Sequence, residues 1–169
     1  MNLLAEFSKN WKHLFANKEP VLLAVSGGSD SMAMCHLFAN AEISFAIAHC
    51  NFQLRGDAAI ADEQLVEKKA KEYNVPFYSV RFDTQNKADQ WKKGIQETAR
   101  ILRYDWLEKI RSDNKFTTIA TAHHANDNAE TLLMNLFKGT GISGLHAIPK
   151  VNGYIVRPLL FASKQDVKR

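Results

Sequence analysis

Residues 21–31, VLLAVSGGSDS, constrain this chain more than any other stretch. Val21-Leu22-Leu23-Ala24-Val25 is an unbroken apolar run, the pattern of a strand buried on both faces of a parallel sheet. It halts at Ser26-Gly27-Gly28, where two glycines permit a tight turn and close approach of the backbone to a ligand. Ser29, Asp30 and Ser31 then open a helix that continues through Met32, Ala33, Leu37 and Phe38. Such a turn aims backbone N–H groups and the positive end of the helix dipole at one spot, which suits an anion and above all phosphate. No Gly-Lys-Ser/Thr follows, so this is not a Walker loop, and the spacing is not G-x-G-x-x-G. On local physics alone, an ordinary turn capped by Ser29, with Asp30 complementing the dipole, stays open beside the phosphate reading.

The rest of the chain alternates in the same way. Ile43–Ala48 reads as a second strand ending at His49-Cys50-Asn51, Asp57–Tyr73 as a charged helix and Pro76–Val80 as a third strand. A long helix is expected from about Ala88 to Ile110, a fourth strand over Phe116–Ala122 and a further helix over Asn126–Lys138. Alternation of this kind predicts an α/β fold: a doubly wound, mainly parallel sheet with helices on both faces, Rossmann-like in layout. Ahead of it, residues 1–18 read as an amphipathic helix with Leu3, Leu4, Phe7, Trp11, Leu14 and Phe15 along one side. Ligands in such sheets sit outside the carboxyl ends of the strands. That rule gathers SGGSDS, His49-Cys50-Asn51 and His123-His124 into one candidate site.

At 169 residues and 46% hydrophobic content the chain fits one domain with a real core. No apolar run approaches a membrane span, and MNLLAEFSKNWKHLF mixes charges into its apolar residues and lacks a signal-peptide cleavage site. Cys35 and Cys50 are the only cysteines and form no C-x-x-C pair, so neither a zinc ribbon nor a thioredoxin-like centre is indicated and the cytoplasm is the default compartment. The net charge of +4 leans weakly toward a polyanionic partner, because the excess is spread out.

Several side chains stand out around the strand ends. In AHCNFQLRGDA, Arg55 and Asp57 serve equally well as a solvated arginine and a helix cap or as nucleotide contacts. In GIQETARILRYDWL, Ile95, Ala99, Leu102, Trp106 and Ile110 form the expected core stripe, and Gln96, Arg100 and Arg103 share an adjacent face. Two arginines a turn apart can grip phosphate or enter surface ion pairs. In TAHHANDNAETLLMNLFKGTG, the residues Ala129, Leu132, Leu133, Leu136 and Phe137 make an apolar face expected to pack on the sheet. Asp127 and Glu130, three apart near the start of that helix, complement its dipole and could also hold Mg²⁺ at ATP phosphates. His123 and His124 are neighbours at a strand end and should point apart, which argues against zinc.

SGGSDS resembles the SGGxDS loop of the PP-loop ATP pyrophosphatases, of the adenine nucleotide alpha hydrolase type. The stretch His49–Arg55, QETARxxRY at Gln96–Tyr104, HHxxDxxET at His123–Thr131, GTGISGLHAIP at Gly139–Pro149 and RPLL at Arg157–Leu160 extend the likeness. Together they resemble the tRNA(Ile)-lysidine synthetase branch. That resemblance implies a ligase that uses ATP to adenylate the C2 oxygen of the wobble cytidine in an isoleucine tRNA with a CAU anticodon. The amine of free lysine then displaces AMP. It implies that Ser26, Gly27, Gly28, Asp30 and Ser31 form the ATP loop, with Ser29 and His49 as further nucleotide contacts. Arg100, Asp127 and Glu130 fall at reaction-centre positions, and Asp127 is the expected Mg²⁺ ligand. Two departures stand out: the usual Asp-Asp pair is Asn126-Asp127, and Phe52 stands where a histidine is usual.

A tRNA thiolase of the same superfamily is the runner-up and would need a reactive cysteine; a nucleotide-binding sensor without chemistry is the third reading. No membrane association is expected, and a homodimer is left open. Glycines 139, 141 and 144 suggest a mobile, substrate-facing loop, with a plain helix stop at Gly139 as the alternative. Residues 163–169 look like the capped start of a helix too short to be stable, so 1–169 reads as a catalytic domain separated from C-terminal tRNA-binding domains. Weak, salt-sensitive tRNA binding is the corollary.

Overall fold

The computed structural model describes residues 1–139 and 148–168. At its centre lies β1 (Val21–Ala24), flanked by β2 (Phe45–Asn51) and β4 (Thr118–Ala120), both parallel to it. β3 (Phe77–Arg81) extends the sheet beyond β2, and a hairpin of β5 (Val151–Asn152) and β6 (Ile155–Val156) extends it beyond β4. The order is β3-β2-β1-β4-β6-β5, with only β5 antiparallel. The chain therefore turns one way from β1 to β2 and the other way to β4, which opens a crevice at the carboxyl end of β1.

Side-chain alternation along the central strands feeds two cores. Val21, Leu23, Val25, Phe45 and Ile47 join α1 (Leu3–Leu14), α2 (Ser29–Asn40) and α3 (Asp57–Tyr73) on one face, with Phe7, Trp11, Phe15, Met34, Phe38, Val66 and Ala70 buried there. Leu22, Ala46, Ala48 and Ile119 face the other way, onto Leu107 of α5 (Ile95–Asp113). Phe7, Phe15 and Phe38 are fully buried, each stabilising the fold by about 1.5–3 kcal/mol. The expected α/β class, the sheet and the N-terminal amphipathic helix are all present.

Several expected boundaries differ. The helix foreseen over Ala88–Ile110 is two helices, α4 (Thr84–Trp91) and α5. Lys92 takes a left-handed conformation at φ 54° and Gly94 an extended one, so the first helix stops and the second restarts. β2 runs on through His49, Cys50 and Asn51 instead of ending before them. The expected stripe on α5 is displaced: its buried residues are Thr98, Ala99 and Leu107, with Trp106 and Ile110 only partly covered.

Two larger corrections concern the C-terminal half. α6 (Ala125–Phe137) has no buried residue; Leu133, Met134, Leu136 and Phe137 are exposed, so its apolar face does not pack on the sheet. α7 (Lys164–Lys168), expected to be too short to hold, is formed: Val167 is buried and the helix lies against α2. The Ser163 hydroxyl accepts from the Asp166 amide at 3.2 Å and the Asp166 carboxylate accepts from the Ser163 amide at 3.2 Å, so the capping box is real and tertiary contact supplies what length cannot. Gly139, at φ 65°, closes α6 as a helix stop; the glycine loop beyond it lies outside the described residues. Among the described residues no helix is long and apolar enough to cross a membrane.

Candidate active site

The crevice holds a cavity of about 460 Å³ at the carboxyl ends of β1, β2 and β4. Its floor is the turn from β1 into α2. Gly27 adopts φ 94°, and a Cβ there would lie 3.0 Å from Cβ of Asp62, so α3 closes off the back of the loop. Asp62 is itself ion-paired to Arg55, which gives that arginine a structural employment. The turn is knitted by its own serines. The Ser31 hydroxyl donates to the Gly28 carbonyl at 3.0 Å and accepts from the Gly27 amide at 3.3 Å; the Ser26 hydroxyl accepts from the Gly28 amide at 3.3 Å. Gly28, not Ser29, is the N-cap of α2, and its carbonyl accepts the first helical bond from Met32 at 3.0 Å.

Opposite the loop stands the start of α6. Asp127 accepts from the His124 amide at 2.8 Å, and the His124 ring lies between two carboxylates. Its Nε2 is 3.2 Å from Asp30 Oδ2, and its Nδ1 is 3.2 Å from Asp127 Oδ2 without hydrogen-bond alignment. His124 is buried, so this bridge ties the loop helix to α6 from beneath. The other oxygen of Asp30, Oδ1, is buried with no hydrogen-bond partner among the described residues, and Asp30 lines the cavity. His123 points the other way, as neighbouring strand-end residues should, and lines the cavity with its Nδ1 2.8 Å from the Thr121 hydroxyl. Burial pushes its pKa down; the charges of Arg157, Arg103 and Arg100 add to this, while Asp127 opposes them.

Because β2 continues to Asn51, the alternation puts Ala48, Cys50 and Phe52 into the cavity and turns His49 and Asn51 away. His49 is buried and donates from Nδ1 to the Val25 carbonyl at 2.7 Å, so it braces the end of β1 beneath the loop and does not line the cavity. Asn51 donates to Glu63 at 2.9 Å, and Arg81 donates to the same carboxylate at 3.0 Å. Burial works against the Glu63 charge, but these two bonds hold its pKa low. Phe52 carries the Arg103 guanidinium 5.2 Å above its ring.

The expected residues therefore separate. Ser26, Gly28, Ser29, Asp30, Ser31 and Asp127 line one cavity, with Gly27 forming its turn. Arg100 does not; it lies over Tyr104 at 5.5 Å and lines an adjoining cavity, while Arg103 takes the place in the main one. Glu130 is exposed one turn further along α6 and lines neither. Lys164 and Lys168 of α7 reach the cavity although nothing in the sequence marked them as site residues; the capping pattern at Ser163 was the available signal. Asn126 accepts from the Lys164 amide at 2.8 Å, so the residue that departs from the usual pattern anchors α7 beside the site. Among the described residues no group of three or more His, Cys, Asp or Glu forms a self-sufficient metal site.

A doubly wound sheet with a serine-glycine loop, paired carboxylates and cationic side chains around one crevice defines a nucleotide-handling α/β protein. The chain belongs to the PP-loop family: the family model for the PP-loop domain matches residues 3–169. Among curated proteins it is 50% identical over 158 residues to the tRNA(Ile)-lysidine synthase of Chlorobaculum tepidum, covering 91% of this chain and 48% of that protein. It is 40% identical to the tRNA(Ile)-lysidine synthase of Bacteroides thetaiotaomicron, over 94% of this chain and 37% of that one. The chain thus spans about half or less of the length of these relatives. Among solved structures, the NH3-dependent NAD synthetase of Campylobacter jejuni superposes with TM-score 0.59 at 15% identity, over 97% of this chain and 66% of that one, which speaks for the fold alone.

Proposed function

We propose that this chain is the ATP-using catalytic domain of a ligase that joins free lysine to C2 of the wobble cytidine in an isoleucine tRNA with a CAU anticodon. The observation that carries this is the 50% identity to a protein of that name, spread over 91% of the chain. In the first step the cytidine O2 attacks the α-phosphorus of ATP and pyrophosphate leaves. In the second the lysine amine forms a bond to C2, the C–O bond breaks, AMP departs and the ammonium loses a proton.

The residues suit those charges. The loop from Ser26 to Ser31 offers short polar groups and close backbone to the ATP phosphates, while Arg103, Lys164 and Lys168 supply positive charge around them. Asp30, with its unpartnered Oδ1, and Asp127 fit a hard cation that takes one or two carboxylates and completes its shell with phosphate oxygens and water. Mg²⁺ so held would neutralise charge developing on the departing pyrophosphate. Glu130 and Arg100, outside the main cavity, are assigned to the lysine and tRNA side of the reaction. The wider assembly, a homodimer and a cytoplasmic setting are part of this proposal.

A thiolase needs a thiolate, and burial pushes the thiols of Cys35 and Cys50 up to about 12, only slightly relieved at Cys50 by Arg103. At pH 8 the thiolate fraction of Cys50 is then on the order of 10³-fold below that of a free cysteine, and alkylation followed by mass spectrometry should be correspondingly slow and accelerate as pH rises toward 12. The function itself is tested by incubating the protein with ATP, Mg²⁺, lysine and the tRNA and analysing nucleotides and tRNA nucleosides. AMP, pyrophosphate and a cytidine heavier by one lysine residue are expected; ADP and phosphate as the tRNA-dependent products would remove the assignment.

A further inference from the structure

A second cavity, of about 260 Å³, opens between α5 and the β5–β6 hairpin and shares Tyr104 as a wall with the ATP crevice. It is smaller than the roughly 300–1,000 Å³ of drug-sized pockets, which leaves room for one flat group and its substituent. Its outer wall is Tyr154, in the hairpin turn after Gly153 and 55% exposed. That ring is held from behind: the Arg111 guanidinium lies 3.6 Å from its centroid. Arg111 is fixed in turn by two bonds to Glu108, at 2.6 and 2.8 Å, and one to the Phe116 carbonyl at 3.1 Å. An aromatic face braced in this way stacks a planar ligand at little further cost in side-chain entropy.

The charges define the ligand further. Arg100 and Arg157 both line this cavity. Arg157 is 8% exposed; one of its terminal nitrogens donates to the Pro149 carbonyl at 2.8 Å, yet its Nε has no hydrogen-bond partner among the described residues. A buried guanidinium with an idle donor at a cavity wall favours an anionic oxygen there over a neutral group. Among the described residues the only carboxylate on the wall, Glu108, is already engaged by Arg111, so there an ammonium ligand finds cations and no free acid. A flat group with an attached phosphate satisfies both halves of the cavity.

We propose that this cavity receives one unpaired nucleotide of the RNA acceptor, its base stacked on Tyr154 and its phosphate held by Arg157 and Arg100. The proposal rests on the tRNA-ligase reading above and adds where the acceptor enters: beside the ATP crevice, across Tyr104, on the hairpin side of the sheet. It gives Arg100 a role in RNA binding and leaves the ATP phosphates to Arg103 and the α7 lysines.

The test uses the 169-residue chain at low salt with a non-cleavable ATP analogue and a short single-stranded RNA carrying 2-aminopurine at one unpaired position. Stacking should quench the probe in the wild type. Tyr154→Ala should abolish the quench and weaken RNA binding roughly five- to 150-fold, the range for losing one base–aromatic stack. Tyr154→Phe should keep both, and the ATP analogue should bind all three proteins alike. RNA binding and quenching by Tyr154→Ala equal to the wild type would overturn the subsite while leaving the RNA reading intact. A parallel loss of ATP-analogue affinity in Tyr154→Ala, or loss of quenching in Tyr154→Phe, would also count against it. A wild type that binds the analogue but no RNA would overturn the tRNA reading and this subsite together.

Discussion

α2 and α6 each begin at the crevice and each present an aspartate to it, yet they are held in opposite ways. α2 buries Ser31, Met34, Cys35, Leu37 and Phe38 in the larger core. α6 buries nothing and is held by polar ties near its start: the Ala125 amide to the Ala162 carbonyl at 2.8 Å, Asn126 to Lys164 at 2.8 Å and Asn128 to the Ile148 amide at 2.7 Å. A site assembled from one welded wall and one tethered wall joins a fixed loop to an element that opens at low cost, since local opening follows buried apolar contact. Chemical identity alone does not reveal the difference, because both helices carry comparable runs of leucine, methionine and phenylalanine.

The largest effect should come from the welded side. Phe38→Ala should cost about 3–5 kcal/mol in denaturant unfolding, whereas Phe137→Ser on α6 should stay within about 0.5 kcal/mol; similar losses at the two sites would end the contrast. Next in size, Asp127→Ala should slow AMP formation roughly a hundredfold, the usual order for losing one electrostatic contact to a transition state, with a stability loss no larger than the roughly 1 kcal/mol of its cap to the His124 amide, because α6 carries no core. A large fall in stability would mean that the tethered wall is structural. Gly27→Ala tests the loop on the welded side: the positive φ and the 3.0 Å approach to Asp62 predict a stability loss of about 1–3 kcal/mol together with weaker ATP binding. The smallest effect is acid-linked. Since His123 is harder to protonate when folded, the unfolded state binds more protons as pH falls below the unfolded value near 6.5. Stability therefore declines there, and His123→Gln should flatten that part of the pH–stability curve.

What the sequence made legible was local. The run Val21–Val25, the two glycines and the following helix are neighbours in the chain, so their geometry follows from propensity and turn chemistry without knowledge of the fold. The place of Asp127 in the first turn of a helix at a strand end is legible for the same reason. His49 lies away from the crevice because β2 runs three residues further than composition indicates, through Asn51, and along that paired strand the alternation turns Ala48 and Cys50 to the crevice and His49 from it. The exposure of α6 and the stability of α7 both depend on what lies across from them: nothing for the first among the described residues, α2 for the second. The β5–β6 hairpin, two residues to a strand, was too short to carry a period at all.

The docking of α7 has a consequence for the order of events during synthesis. The phosphate loop at residues 26–31 leaves the ribosome well over a hundred residues before Lys164 and Lys168, which at ordinary elongation rates is on the order of ten seconds. For most of that interval, until Thr118–Ala120 is made, β1 also lacks its β4 neighbour, so the nascent loop has neither its final frame nor its cationic wall. With Lys164 and Lys168 holding the nucleotide as proposed, capture waits until the chain has been made through α7, and a ribosome-bound intermediate stopped before residue 164 should leave ATP in solution.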